Sequence, residues 1–190
     1  MRIAYQGEAG AYSEQALFDY FGEAEPVPCE TFDAVFESVV AGKCEAGMIP
    51  IENSIAGSIH QNHDLLSHHE LNIIGEYVLR VRHCLIVNPG VTISEVKKAM
   101  SHPQALMQCA QYLRSRGIQA EPSYDTAGSV KLLKASDARD TAAIASRRAA
   151  ELYGMQILEE GIEDEPQNYT RFLAIAKAAI TSNDESKDAP

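Results

Sequence analysis

LNIIGEYVLRVRHCLIV, residues 71–87, decides how the rest of the chain is read. The stretch is β-branched, alternates apolar with polar, and outruns an ordinary strand of ~5–6 residues. Before it, strand-like runs alternate with helical ones. RIAYQ at 2–6 reads as a strand and 13–20 as a helix with Ser13 as its N-cap. Residues 25–29 are extended. TFDAVFESVVA at 31–41 spaces Phe32, Val35, Phe36 and Val39 as an amphipathic helix does. GMIPI at 47–51 is a strand that runs straight into Glu52, Asn53 and Ser54, and 59–66 is helical. After it the same rhythm restarts. A strand at 96–100 leads through Ser101, His102 and Pro103 into one helix from Gln104 to about Arg116, with Gly117 placed to end it. Residues 120–124 are extended, and Asp125 and Thr126 cap a helix to about Lys134. TAAIA at 141–145 and YTRFLAIA at 169–176 are strands, and 146–153 is a helix. Strands alternating with helices imply a mostly parallel α/β sheet. The restart implies two similar lobes joined by crossing strands, with a small-molecule site in the cleft between them, at strand carboxyl ends and helix amino ends.

The 190 residues carry 16 Lys and Arg against 27 Asp and Glu, a net charge of −11. That balance argues against a nucleic-acid partner and against electrostatic attachment to a membrane, and no apolar run reaches the ~18 residues of a bilayer span. An anionic ligand must therefore be captured by local donors against the overall field. The N-terminus MRIAYQGEAG reads as neither a secretory signal nor an Arg- and Ser-rich transit peptide, so a cytoplasmic location is the expectation. Cys29, Cys44, Cys84 and Cys109 form no C-x-x-C pair and read as reduced, mostly buried thiols. His60, His63 and Asp64 would share a helical face, but neither their spacing nor their flanks select a metal.

Four turns at expected helix starts are rich in small donors: 7–13, 50–58, 101–104 and 125–129. Oriented N–H groups at such ends bind carboxylates or phosphates, and ordinary capping explains any single one of them equally well. Gln108 lies seven residues after Ser101, close to two helical turns, so both can face the same way; such a Gln can also pin a loop. Arg171 is suited to a bidentate carboxylate pair, or to a salt bridge with one of the many acidic residues, for instance in 163–165.

GEAGAYSEQA, IPIENSIAGS, HCLIV, SHPQALMQC, AIASRRAAELYGMQIL and NYTRFLAIA occur here in one order. In that order they resemble the prephenate dehydratase family over residues 1–178. The resemblance implies an α/β fold of two similar lobes like the type II periplasmic binding proteins, with the active site in the interlobe cleft. It divides the chain into a lobe of about 1–80, a lobe of about 81–178 with crossing strands, and a flexible tail or linker stub at 179–190. It implies conversion of prephenate to phenylpyruvate for phenylalanine biosynthesis with no metal or organic cofactor, because aromatisation drives the reaction. Thr170 carries over as the catalytic residue. Asn53 and Ser54 in IPIENS, Ser101 and Gln108 in SHPQALMQC, and Thr126 carry over as substrate-binding residues. Arg171 is taken on physical grounds as the partner of a substrate carboxylate.

Two departures qualify this. The family's STA element is Asp125-Thr126-Ala127-Gly128 here, a form that looks like arogenate dehydratases, so arogenate stands as the alternative substrate. Most members continue into a phenylalanine-binding ACT domain; this chain reads as stopping in a polar tail there, so feedback inhibition is not carried over. The family also suggests a homodimer or homotetramer. The rival class, a non-catalytic binding module, would call for a secretion signal or a helix-turn-helix segment, neither of which the sequence displays.

Overall fold

The computed structural model describes residues 1–177; the expected tail at 179–190 lies outside the described residues. One sheet holds β1 (Arg2–Gln6), β2 (Glu25–Cys29), β3 (Ala46–Asn53), β4 (Gly57–Ser58) and β5 (Asn72–Arg80). The other holds β6 (Cys84–Val87), β7 (Lys98–Ser101), β8 (Gln119–Pro122), β9 (Thr141–Ala145) and β10 (Gln156–Glu160). The stretch at 71–87 is thus two strands in two sheets, β5 and β6, with residues 81–83 crossing between them. The chain returns through 161–168 to β11 (Tyr169–Ala176), which inserts between β3 and β5. The last strand therefore belongs to the first lobe's sheet and not to the second lobe with which the sequence grouped it.

The strand order is β2-β1-β3-β11-β5 in the first sheet, with β4 paired to β3, and β10-β6-β9-β7-β8 in the second. The sheets are mixed, not mostly parallel. The β1, β2 and β3 pairs and the β7, β8 and β9 pairs are parallel, and every pair made by β5, β6, β10 or β11 is antiparallel. Apart from the local β3–β4 hairpin, the antiparallel pairs are those of the strands that carry the chain between lobes or close a sheet after the return. β10 left little sequence signal because its residues are all half-buried, with no alternating face.

Helices α1 (Tyr12–Phe21), α2 (Phe32–Val40) and α3 (His60–His68) flank the first sheet; α4 (Pro103–Gln108), α5 (Ala110–Arg116), α6 (Thr126–Ser136) and α7 (Arg147–Tyr153) flank the second. Two of the expected helix limits change. Ser13 does not cap α1; Ala11 precedes the helix without a side-chain cap, and the Gly10 N–H instead donates to the Glu14 carboxylate at 2.9 Å. The helix expected from 104 to 116 breaks at Cys109, whose φ of −116° and ψ of 18° leave the helical region. A continuous apolar core runs from Ile3 and Tyr5 through Phe172 and Ile86 to Leu133, so the lobes share one interior where α1 meets α7.

Gly10 sits at that junction. Its φ is +92°, and a Cβ there would lie 2.8 Å from the Ala149 Cα, a backbone atom of α7 that cannot swing aside. The Ser146 hydroxyl also donates to the Gly10 carbonyl at 2.6 Å. Gly10→Ala is expected to cost about 2 kcal/mol, lowering Tm by roughly 4–8 °C. Thermal unfolding followed by circular dichroism reads this, and an unchanged Tm would contradict the close packing.

Candidate active site

A cleft of about 550 Å³ opens between the lobes. The first turns of α1, α2 and α6 contribute Tyr12 and Ser13, Thr31 and Phe32, and Asp125 and Thr126 to its wall. Two of these starts are capped by their own side chains. Thr31 Oγ1 accepts from the Ala34 N–H at 3.1 Å, and Asp125 Oδ1 accepts from the Gly128 N–H at 2.7 Å. Burial pushes the Asp125 carboxyl above its ordinary pKa. None of the lining residues is Lys or Arg. With Glu30 and Asp125 also in the wall, attraction for an anion there has only the helix ends and neutral donors to draw on.

The floor is built by β3 and β11. Thr170 pairs with Asn53 across the antiparallel ladder, and Phe172 pairs with Pro50. The register shifts between those pairs because β3 carries the extra residue Ile51 opposite β11. Pro50 has no N–H for the ladder, and a bulge beside it re-aims the residues that follow. The extra residue lets Pro50 and Asn53, three positions apart, both line the cleft, which plain alternation would not allow.

Asn53 Nδ2 donates to the Thr170 hydroxyl oxygen at 2.9 Å and to Asn168 Oδ1 at 2.8 Å, with the Tyr169 carbonyl at 3.2 Å. Its Oδ1 accepts the Ile55 and Ala56 N–H groups at 3.1 and 2.9 Å, which fixes which end of the amide faces Thr170. The Thr170 oxygen thus accepts a hydrogen bond from behind, while its own O–H has no acceptor among the described residues. Further along, Asn168 Nδ2 and His83 Nε2 both meet Gln108 Oε1, at 3.1 and 2.8 Å. His83 Nδ1 lies 2.8 Å from the Tyr12 hydroxyl. Burial holds His83 below its ordinary pKa, so the ring is neutral near pH 7.

Of the residues expected from the sequence, Asn53, Gln108, Thr126 and Thr170 line this cleft. Three do not. Ser101 is fully buried beneath it and donates to the Ile144 carbonyl at 2.6 Å, tying β7 to β9; because it lies in a strand, helical spacing does not relate it to Gln108. Ser54 is exposed and clasps the end of β3 to the start of β11, accepting from the Tyr169 N–H and donating to the Gln167 carbonyl, both at 2.9 Å. Arg171 points to the opposite face of β11, where it pairs with Glu52 at 3.3 Å and Glu76 at 3.2 Å. Neighbouring strand residues face opposite ways, so Thr170 in the cleft requires Arg171 outside it. Exposed pairs of this kind contribute about 0–1 kcal/mol, and Arg171→Ala is expected to leave KM within about threefold of wild type. A tenfold rise in steady-state KM would return Arg171 to the site. Tyr12, His83 and Asn168 were missed by sequence reasoning. His83 and Asn168 lie inside HCLIV and NYTRFLAIA, motifs whose other residues drew the attention.

A prephenate dehydratase family model matches residues 3–180. The chain belongs to the prephenate dehydratase family. It is 47% identical over 180 residues to arogenate dehydratase/prephenate dehydratase 2, chloroplastic, of Arabidopsis thaliana, covering 95% of this chain and 47% of that protein. The chain thus spans about half the length of the curated relatives it matches. The prephenate dehydratase of Arthrobacter aurescens, solved in complex with L-Phe, superposes with a TM-score of 0.87 at 31% identity, covering 94% of this chain and 61% of that one. GqqA, described as a novel type of quorum quenching acylase, superposes with a TM-score of 0.87 at 35% identity, covering 94% and 64%. Membership of the prephenate dehydratase family and the two-lobed mixed α/β fold agree with the sequence reading. The cytoplasmic expectation does not stand: several Arabidopsis relatives carry "chloroplastic" in their names. It had rested on an unseen leader, and a mature or partial chain looks the same whether or not a leader preceded it.

Proposed function

We propose that this cleft carries out the decarboxylating dehydration of prephenate to phenylpyruvate, a step of phenylalanine biosynthesis, with arogenate as the alternative substrate yielding phenylalanine. The observation that carries the reading is the Thr170 hydroxyl: its oxygen accepts from Asn53 at 2.9 Å, and its proton is left to donate into the cleft. Prephenate dianion and one proton give phenylpyruvate monoanion, CO2 and water. As the ring carboxylate leaves, its C–C bonding pair enters the ring, and the ring hydroxyl departs as the ring becomes aromatic. Thr170 donates a hydrogen bond to that departing oxygen. A free threonine hydroxyl is too weak an acid to protonate it outright, so the proton balance is completed from water.

The substrate's carboxylates are held by donors that carry no formal charge: the first turns of α1, α2 and α6, the Thr126 hydroxyl, and the Gln108 amide. Such an arrangement concentrates attraction inside a chain whose net charge is −11. The hydrolytic chemistry named for GqqA would call for a hydroxyl or thiol beside a base. Thr170 faces an amide donor, and both His83 ring nitrogens are engaged elsewhere, by Gln108 and Tyr12. This favours lyase chemistry.

Incubation with prephenate and with arogenate, assayed for phenylpyruvate by absorbance in base and for phenylalanine by chromatography, tests the reading. Turnover of either supports it, the ratio of kcat/KM names the preferred substrate, and turnover of neither refutes it. The active unit is read as residues 1–178, in a homodimer or homotetramer; light scattering behind size exclusion measures that mass, and a monomer would rule it out.

A further inference from the structure

The Gln108 side chain has an orientation that its surroundings dictate. Its Oε1 receives the Asn168 Nδ2 donor at 3.1 Å and the His83 Nε2 donor at 2.8 Å. An amide turned end for end would set its own N–H groups against two donors, one of them on a fully buried Asn. Neither donor is free to reverse. Asn168 Oδ1 is held by Asn53, whose own oxygen is held by the Ile55 and Ala56 N–H groups. His83 is 2% exposed; its backbone N–H donates to the Glu163 carboxylate at 2.9 Å and its carbonyl accepts the Gly161 N–H at 2.9 Å. The Tyr12 hydroxyl lies 2.8 Å from His83 Nδ1 and 2.9 Å from the Arg82 carbonyl, so its one proton does not by itself set the ring. The Gln108 oxygen that Asn168 already holds can only accept, and this places the ring proton on Nε2. His83 and Asn168 lie on the two segments that cross between lobes, and those segments are bonded to each other through the Val81 N–H and Asn168 carbonyl at 2.8 Å. Gln108 Nε2, on a residue that lines the cleft, has no hydrogen-bond acceptor among the described residues.

We propose that His83 and Asn168 are positioning residues that lock the Gln108 amide with its oxygen toward the interlobe crossing and its two N–H groups toward the cleft, where they receive a carboxylate of the bound substrate. The identity of that carboxylate's owner rests on the dehydratase reading; the lock itself does not. A preset donor binds ground state and transition state alike, so loss of the lock raises KM and spares kcat.

The lock is read first without substrate. With glutamine labelled by 15N, and Gln108→Glu used for assignment, wild type is expected to show one sharp pair of Gln108 NH2 signals. His83→Leu, which removes the ring donor, is expected to broaden or double them. His83→Gln, whose amide can present an N–H at the former Nε2 position, is expected to restore them. In steady-state kinetics His83→Leu is expected to raise KM about 10- to 100-fold, the range for losing a hydrogen bond to a charged group, with kcat within about threefold; His83→Gln stays within about threefold of wild type in both. If His83→Leu does not fold, Asn168→Asp replaces the second donor by an acceptor and is expected to give the same signal splitting and KM rise. Unchanged NH2 signals and KM in a folded His83→Leu or Asn168→Asp would overturn the proposal, as would a His83→Gln no better than His83→Leu. A wild type with the expected NH2 signals but no turnover would sink the dehydratase reading and leave the lock standing.

Discussion

Thr170→Ala is expected to lower kcat about 1,000-fold, within the 10²–10⁴ that a positioned proton donor contributes, while KM moves less than about fivefold. The methyl side chain leaves the ladder to Asn53 and Leu79 untouched, because the strand pairs through its backbone. Only the hydroxyl that Asn53 polarises is removed. Thr170→Ser keeps that hydroxyl and is expected to recover all but about tenfold, the remainder reflecting a freer χ1 than a β-branched residue allows. Stopped assays of phenylpyruvate or phenylalanine formation read both variants. Thr170→Ala at full rate would remove Thr170 from the chemistry and leave the fold as it stands.

The largest expected stability effect lies far from the floor of the cleft. Glu14 is 3% exposed, yet its carboxylate accepts from the Tyr5 hydroxyl at 3.2 Å, the Gly10 N–H at 2.9 Å and Arg148 Nε at 2.6 Å. Tyr5 and Gly10 belong to the first lobe and Arg148 to α7 of the second, so one carboxylate ties α1 to both. Glu14→Ala leaves a buried hydroxyl and a buried N–H without partners and frees the guanidinium that packs over Phe18 at 4.3 Å. The expected cost is about 3 kcal/mol, or a fall in Tm of roughly 6–12 °C for a chain of this size. Glu14→Gln retains an acceptor for the Gly10 N–H or the Tyr5 hydroxyl and is expected to lose about half as much. Chemical denaturation at constant m-value measures both, and a Glu14→Ala protein as stable as wild type would show that this carboxylate adds nothing to the apolar contact and the Ser146–Gly10 hydrogen bond between the lobes.

How much of this was legible beforehand depends on whether a signal is local. The hydrophobic rhythm marked β1, α2, α6, β9 and β11 to within a residue or two, because the two helices repeat apolar residues at helical period and the three strands are short apolar runs buried on both faces. The over-long run at 71–87 announced a crossing. Motifs at strand ends pointed to Asn53, Gln108, Thr126 and Thr170, all four of which line the cleft. Arg171 was a misreading that the sequence itself could have prevented, since it adjoins Thr170 in a strand and must face the other way. Ser54 and Ser101 failed differently. A serine at a strand end serves equally as a ligand donor or as a clasp, and only its neighbours decide; Ser101 found the Ile144 carbonyl, 43 residues away in sequence.

The sequence by itself determined two α/β lobes, the crossing between them, the family, and the motif that carries Thr170, because these follow from periodicity and from contiguous residues. The tertiary structure alone decided the pairing and aim of the site. The bulge at Ile51 turns Asn53 toward Thr170, β11 returns to the first sheet, and Asn168 and His83 converge on one oxygen of Gln108 from 60 and 25 residues away. The reason is physical: hydrogen-bond direction and strand register are set by partners distant in the chain, and a residue's own neighbours carry no record of them.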